Sequence, residues 1–173
     1  KGDDYNNKKF CSFVVKNPGC KYRNDYFEIL SRYKKVDSAG PLFNNMNGCC
    51  PSSVIEKVKF MSNYRFNLCF ENSSYPGYCT EKLFEALCAR TIPIYWGSST
   101  AGLDFNPAAF LNRYDFANDQ DFVNFIIEVD NNEHLYNHYY LQPMFRDEEM
   151  LRNLNTDRFL NWFQHNVYQG VIN

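Results

Sequence analysis

Over its first 130 residues the chain alternates short extended runs with segments whose apolar residues recur at helical spacing, and few folds accommodate that order. Phe10 to Val15 is a buried-strand pattern closed by Asn17-Pro18-Gly19. Tyr22, Tyr26, Phe27, Leu30 and Tyr33 then follow one face of a helix. Val36 opens a second extended piece that runs out at Ser38-Ala39-Gly40-Pro41, and Val54, Ile55, Val58 and Met61 mark a second helix. Phe66 to Phe70 is the third strand, and Thr80 stands as the N-cap of a helix with Leu83, Phe84, Leu87 and Cys88 on its apolar face. Thr91 to Trp96 is a fourth strand; its Pro93 lacks a ladder donor and predicts an edge position or a bulge. Ala109 to Asn112 is a fifth, followed by a helix near Asp119 to Val129 capped by Asn118. From Asn132 only helices are expected, including Thr156 to Val167. Strands alternating with helices predict a parallel sheet covered on both faces, the doubly wound α/β plan. Ligands of such sheets bind at the carboxyl ends of the strands.

A length of 173 residues suits a single domain, with an α/β core at about 9–130 and a helical segment at about 131–173. The chain is 45% hydrophobic and 22% charged, enough apolar material for a core and too little charge for disorder. No apolar run is long enough to span a bilayer. A net charge of -2 provides no global basic field for nucleic acid, so an anionic ligand must be held locally. Lys1 replaces an initiator Met and Lys1 to Lys9 has no apolar signal core, so a longer parent protein is expected. Seven cysteines form no C-x-x-C pair, which argues against zinc and for a reducing compartment. The adjacent Cys49-Cys50 pair is assigned no role.

The third strand delivers Glu71 and Asn72 to its carboxyl end, a Pro76-Gly77 turn follows, and Glu81 and Lys82 open a helix. A helix N-terminus presents unpaired N–H groups and partial positive charge, and Lys82 adds a full charge. A phosphate fits that arrangement; the alternative is an ordinary exposed lysine. Arg23 also starts a helix at the carboxyl end of a strand and would be a second phosphate contact, the alternative being a surface pair with Asp25. Truncating either cation is expected to weaken phosphate binding without disturbing the core. Gly97 and Gly102 have Walker-like spacing but are followed by Leu103-Asp104, and no G-x-G-x-x-G occurs. His134 and His138 lie at i, i+4, but Glu133 precedes them in the wrong order for a zinc protease. Glu71 and Glu81 are a conceivable glycosidase pair, although sequence spacing does not set their separation.

Residues 64–86, YRFNLCFENSSYPGYCTEKLFEA, continued by TIPIYWGS at 91–98, closely resemble the donor-binding motif of the α1,3-fucosyltransferases, especially bacterial ones. Phe13-Val-Val-Lys-Asn-Pro, Asp104-Phe-Asn-Pro and Phe110-Leu-Asn extend the resemblance from about Lys9 to Met144. It implies the second, Rossmann-like GDP-fucose domain of a two-domain GT-B enzyme that inverts configuration. Arg23 and Lys82 would then bind the GDP phosphates, and Asn72, Tyr78 and Glu81 would line the donor pocket. Glu81 would bond a ribose or sugar hydroxyl, or oppose the positive charge developing on fucose. The resemblance places the general base in the amino-terminal acceptor domain, so no residue here takes that role. It implies no metal and no cofactor, with GDP-fucose as donor and transfer to the 3-OH of GlcNAc in a glycan bound by that other domain. Peripheral membrane association of the full-length enzyme is a further implication. The alternatives are a non-catalytic sugar-nucleotide-binding domain and the glycosidase. Asn72-Ser73-Ser74 is an N-glycosylation triplet inside the proposed donor loop, and with the odd cysteine count it favours a cytoplasmic enzyme over one in the Golgi lumen.

Overall fold

The computed structural model of the chain describes residues 4–49 and 51–147. After a short helix, α1 (Asp4–Asn7), five strands alternate with helices: β1 (Lys9–Phe13), α2 (Lys21–Tyr33), β2 (Val36–Ser38), α3 (Val54–Met61), β3 (Tyr64–Leu68), α4 (Glu81–Cys88), β4 (Ile92–Tyr95), α5 (Ala101–Asp104) and β5 (Leu111–Asn112). Two further helices follow, α6 (Asp119–Asn131) and α7 (Glu133–Tyr140). The strands form one sheet in the order β2-β1-β3-β4-β5, and every neighbouring pair is parallel. Parallel neighbours need crossovers, which the intervening helices supply, and this is the doubly wound α/β plan that the alternation predicts.

Period-two alternation sends side chains to opposite faces of the sheet. Phe66, Leu68 and Phe70 join a core with Tyr26 and Leu30 of α2, Phe122 and Ile126 of α6 and Tyr136 of α7. Cys69 and Tyr95 turn the other way, into a second cluster with Leu83, Ala86 and Leu87 of α4 and Ala101 of α5. Each face is therefore sealed by its own helices. Tyr22 packs its ring on Phe70 and Trp96 at 5.7 and 4.8 Å, holding the start of α2 against the ends of β3 and β4.

The expected edge position or bulge for Pro93 is overturned, because β4 lies inside the sheet between β3 and β5. The carbonyls of Ile94 and Trp96 accept from Cys69 N and Glu71 N of the β3 side at 3.0 and 2.8 Å. Pro93, alternating with them, faces β5, whose register begins opposite Ile94. No donor is required of it. The fifth strand shrinks to Leu111–Asn112 because Asn106 Oδ1 accepts from Ala108 N at 3.1 Å and sets a 3-10 turn over Pro107–Ala109. Asn118 caps α6 by accepting from Asp121 N at 2.9 Å, as its position predicts. Thr80 does occupy the N-cap of α4, but its side chain makes no capping bond. Among the described residues no helix is long and apolar enough to cross a membrane. The helix expected at Thr156 to Val167, and Cys50, lie outside the described residues.

Candidate functional site

The strand order reverses between β1 and β3, and crevices at such reversals, outside the carboxyl ends of the strands, hold ligands in open α/β sheets. The loop after β1 carries Lys16 and Asn17, and the loop after β3 carries Asn72; with Lys57, Glu81 and Lys82 these line a cleft of about 260 Å³ floored by Val14 and Val15.

Arg23, in the first turn of α2, is fully buried. Its Nη1 donates to Asn72 Oδ1 and its Nη2 to the Asn17 carbonyl, both at 2.5 Å. Both partners line the cleft. Among the described residues its Nε has no partner, and no carboxylate lies within ion-pair distance of the guanidinium. The surface pair with Asp25 does not form, because Asp25 takes Lys21 at 2.6 Å. Burial pulls the pKa of Arg23 down, against the opposing influence of Cys20, Glu71 and Tyr78, yet a guanidinium stays charged in a protein. A buried cation with no carboxylate in direct contact is costly, and a bound anion would relieve that cost.

Lys82 is different. Its side chain is only 15% exposed and its Nζ lies 2.8 Å from Oε2 of Glu71, a carboxylate that is completely buried. The Thr80 hydroxyl accepts from the same ammonium at 2.8 Å and itself meets both Glu71 oxygens, at 2.9 and 2.7 Å, while Thr80 N donates to Oε1 at 2.7 Å. That network is why Thr80 does not cap α4. Glu81 Oε1 is the outer partner of Lys82, at 3.4 Å and with a side chain 55% exposed. Burial would lower the pKa of Lys82, but Glu71 and Glu81 raise it on balance. Burial likewise tends to raise that of Glu81, but its own backbone N–H, Lys82 and Thr80 hold it below the usual range.

The loop between Glu71 and Thr80 is pinned at several points. Gly77, at φ +81°, donates its N–H to Ser98 Oγ and Thr100 Oγ1 at 3.0 and 3.1 Å. The hydroxyls of Ser74 and Tyr114 are hydrogen-bonded to each other, and Tyr114 also donates to the Gly97 carbonyl at 3.3 Å. Tyr78 is half-buried with its ring 4.7 Å from that of Tyr75, and it is not among the residues lining the cleft. The structure thus gathers Asn17, Asn72, Glu81 and Lys82 into one crevice, with Arg23 buried behind Asn17 and Asn72 and not itself in the lining, and leaves Tyr78 beside it. Lys16, Asn17 and Lys57 are lining residues to which the sequence reading gives no role, although Lys16 and Asn17 stand inside the Phe13-Val-Val-Lys-Asn-Pro stretch; Asn17 reads there as part of an Asn-Pro-Gly turn signal. His134 and His138 lie on α7, away from the cleft lining. Among the described residues no group of three or more His, Cys, Asp or Glu side chains could hold a metal ion.

The family model "Glycosyltransferase family 10 (fucosyltransferase) C-term" matches residues 4–162. The chain belongs to that family. It is 39% identical over 138 residues to the alpha-(1,3)-fucosyltransferase FucT of Helicobacter pylori, a match covering 80% of this chain and 27% of the relative. A crystal structure of an alpha1,3-fucosyltransferase with GDP-fucose superimposes with a TM-score of 0.85 at 32% identity, covering 98% of this chain and 50% of that one. A crystal structure of an alpha1,3-fucosyltransferase with GDP gives 0.86 at 31% identity, with the same coverage of both chains. The family 10 chain therefore spans about a quarter of its curated bacterial relative and half of each solved neighbour. The family match takes in every strand and the whole cleft.

Proposed function

We propose that this family 10 chain binds GDP-fucose in the β1–β3 crevice, and that the enzyme containing it transfers L-fucose with inversion to the 3-OH of GlcNAc in a glycan. The observation that carries the reading is Arg23: a fully buried guanidinium with no carboxylate partner among the described residues, fixed by two groups that line the cleft. A diphosphate supplies the charge that site lacks. As fucose leaves with oxocarbenium character, negative charge grows on the GDP oxygens, and prepositioned cations stabilise it without reorganising. Arg23 and Lys82 serve as those cations, Asn72 orients the first of them, and Glu81 meets a sugar or ribose hydroxyl. The charge stabilisation comes from side chains, so the reading calls for no metal and no cofactor.

The glycosidase alternative fits the site less well. A retaining or inverting glycosidase needs one carboxylic acid with a raised pKa, whereas Glu81 is held low and Glu71 is buried and occupied by Thr80 and Lys82. Calorimetric titration of the purified chain with GDP and with guanosine tests the proposal. GDP should bind and guanosine should bind more weakly; no heat with GDP or GDP-fucose would sink it.

A further inference from the structure

We infer that Glu71 is a positioning residue of the donor site, acting through Lys82. This rests on the reading that Lys82 meets the donor phosphates. A lysine reaches its target on a flexible four-carbon stem and is poorly preorganised by itself. Here two of its contacts are short and one is long: Glu71 and Thr80 at 2.8 Å, Glu81 at 3.4 Å. The short contacts come from a wholly buried carboxylate and a half-buried hydroxyl, the long one from an exposed carboxylate at the cleft wall. An incoming anion can therefore replace Glu81 at the ammonium while Glu71 keeps hold of it. Glu71 also keeps a largely buried ammonium charged, which burial alone would oppose.

Glu71 is itself seated by the chain around it. Its backbone N–H donates to the Trp96 carbonyl at 2.8 Å, extending the β3–β4 ladder by one step. A Cβ on Gly97 would fall 2.4 Å from Glu71 Cγ and 2.9 Å from Glu71 Cβ. Glycine at 97 is thus required to make room for the Glu71 side chain, which links the Trp-Gly-Ser segment after β4 to the cation in the first turn of α4.

The test is GDP and guanosine titration of four folded chains: wild type, Glu71→Gln, Lys82→Ala and the double variant. Glu71→Gln keeps the size and an oxygen for Thr80 N but removes the charge that fixes Lys82. We expect it to weaken GDP about tenfold, to leave guanosine unchanged, and to have no further effect once Lys82 is already Ala. Unchanged or tighter GDP binding in Glu71→Gln overturns the inference, the latter because Glu71 would then act only as a repelling charge. An equal loss in both backgrounds overturns it too, as a merely structural residue would behave that way. Failure of the wild type to bind GDP would instead remove the underlying functional reading. If Glu71→Gln does not fold, Gly97→Ala displaces the same side chain and must show the same dependence on Lys82. Loss of the fold in both variants assigns Glu71 to the scaffold and overturns the inference.

Discussion

At the residue scale, Arg23 and Lys82 have the same formal charge but different electrostatic roles. Lys82 is ion-paired to Glu71 and Glu81, whereas Arg23 has no carboxylate within ion-pair distance among the described residues and feels Glu71 only from farther off. A diphosphate should depend more on Arg23. Replacing it by Lys preserves the charge but cannot reproduce the planar fork that reaches Asn17 and Asn72 together. Arg23→Lys is therefore expected to weaken GDP by about 1.5–3 kcal/mol, the range for hydrogen bonds to charged groups, while guanosine affinity barely moves; calorimetry with both ligands checks it, and equal losses would remove the phosphate assignment. The expectation that Arg23→Ala would spare the fold is corrected by its complete burial: truncation leaves a void and strips Asn72 and the Asn17 carbonyl of their donor. That burial could not be read from sequence, since an Arg at a helix start is usually exposed. The Glu71–Lys82 pair was equally hidden. Eleven positions separate the two residues, and only the turn at Gly77 and the return of α4 to the end of β3 bring them together.

At the scale of elements, the strands were legible because each is a short apolar run between turn signals, and the helices because their apolar faces keep a 3.6-residue period. What was not legible depended on neighbours in space. Pro93 is tolerated inside the sheet only because β5 begins one residue later, a fact of register and not of local pattern. Another such fact is the staple at Asp37 of β2. It meets Lys9 of β1 at 3.3 Å and Lys35 at 2.6 Å, and accepts from Tyr64 of β3 at 2.9 Å, so one buried carboxylate ties three adjacent strands. Burial alone would raise its pKa, but Lys35, Tyr64 and Lys9 together depress it. A depressed carboxyl contributes stability that is fully present above its unfolded value of about 3.9 and is lost as pH falls through the lower folded value. Urea titrations from pH 7 to pH 2 should therefore show Asp37→Asn less stable than wild type at neutral pH, with the gap closing below about pH 4. A gap that stays constant into acid would refute the staple. Lys9 and Tyr64 both open their strands, at the end of the sheet opposite the cleft, so GDP affinity at pH 7 should be unchanged in this variant.

At the scale of the whole molecule the two ends of the sheet divide the work. The amino ends are locked by buried carboxylates: Asp37, and Asp130 of α6, which takes Lys34 at 2.5 Å and Arg65 at 2.7 Å. The carboxyl ends gather Lys16, Lys57 and Lys82 around a crevice, where the buried carboxylate of Glu71 is engaged in holding Lys82. Such a division suits a rigid platform that holds a donor, and it determines what the chain should do by itself. Transfer requires a base within about 2.6–3.2 Å of the acceptor hydroxyl, with a pKa near the working pH. Glu81, the carboxylate in the cleft lining, is held to a low pKa by its own N–H and by Lys82, and Glu71 behind Lys82 is buried and fully engaged. Neither meets the requirement. Since the chain spans half of its solved neighbours, we propose that the base belongs to another part of the full-length enzyme. The 173-residue chain should then bind GDP-fucose yet form no fucosylated product with a GlcNAc-containing glycan, even over long incubation at a protein concentration that saturates the donor. Mass spectrometry of the acceptor is the measurement. A mass gain of one fucose, reduced in Arg23→Lys, would show that the base lies within these residues and that its assignment elsewhere is wrong.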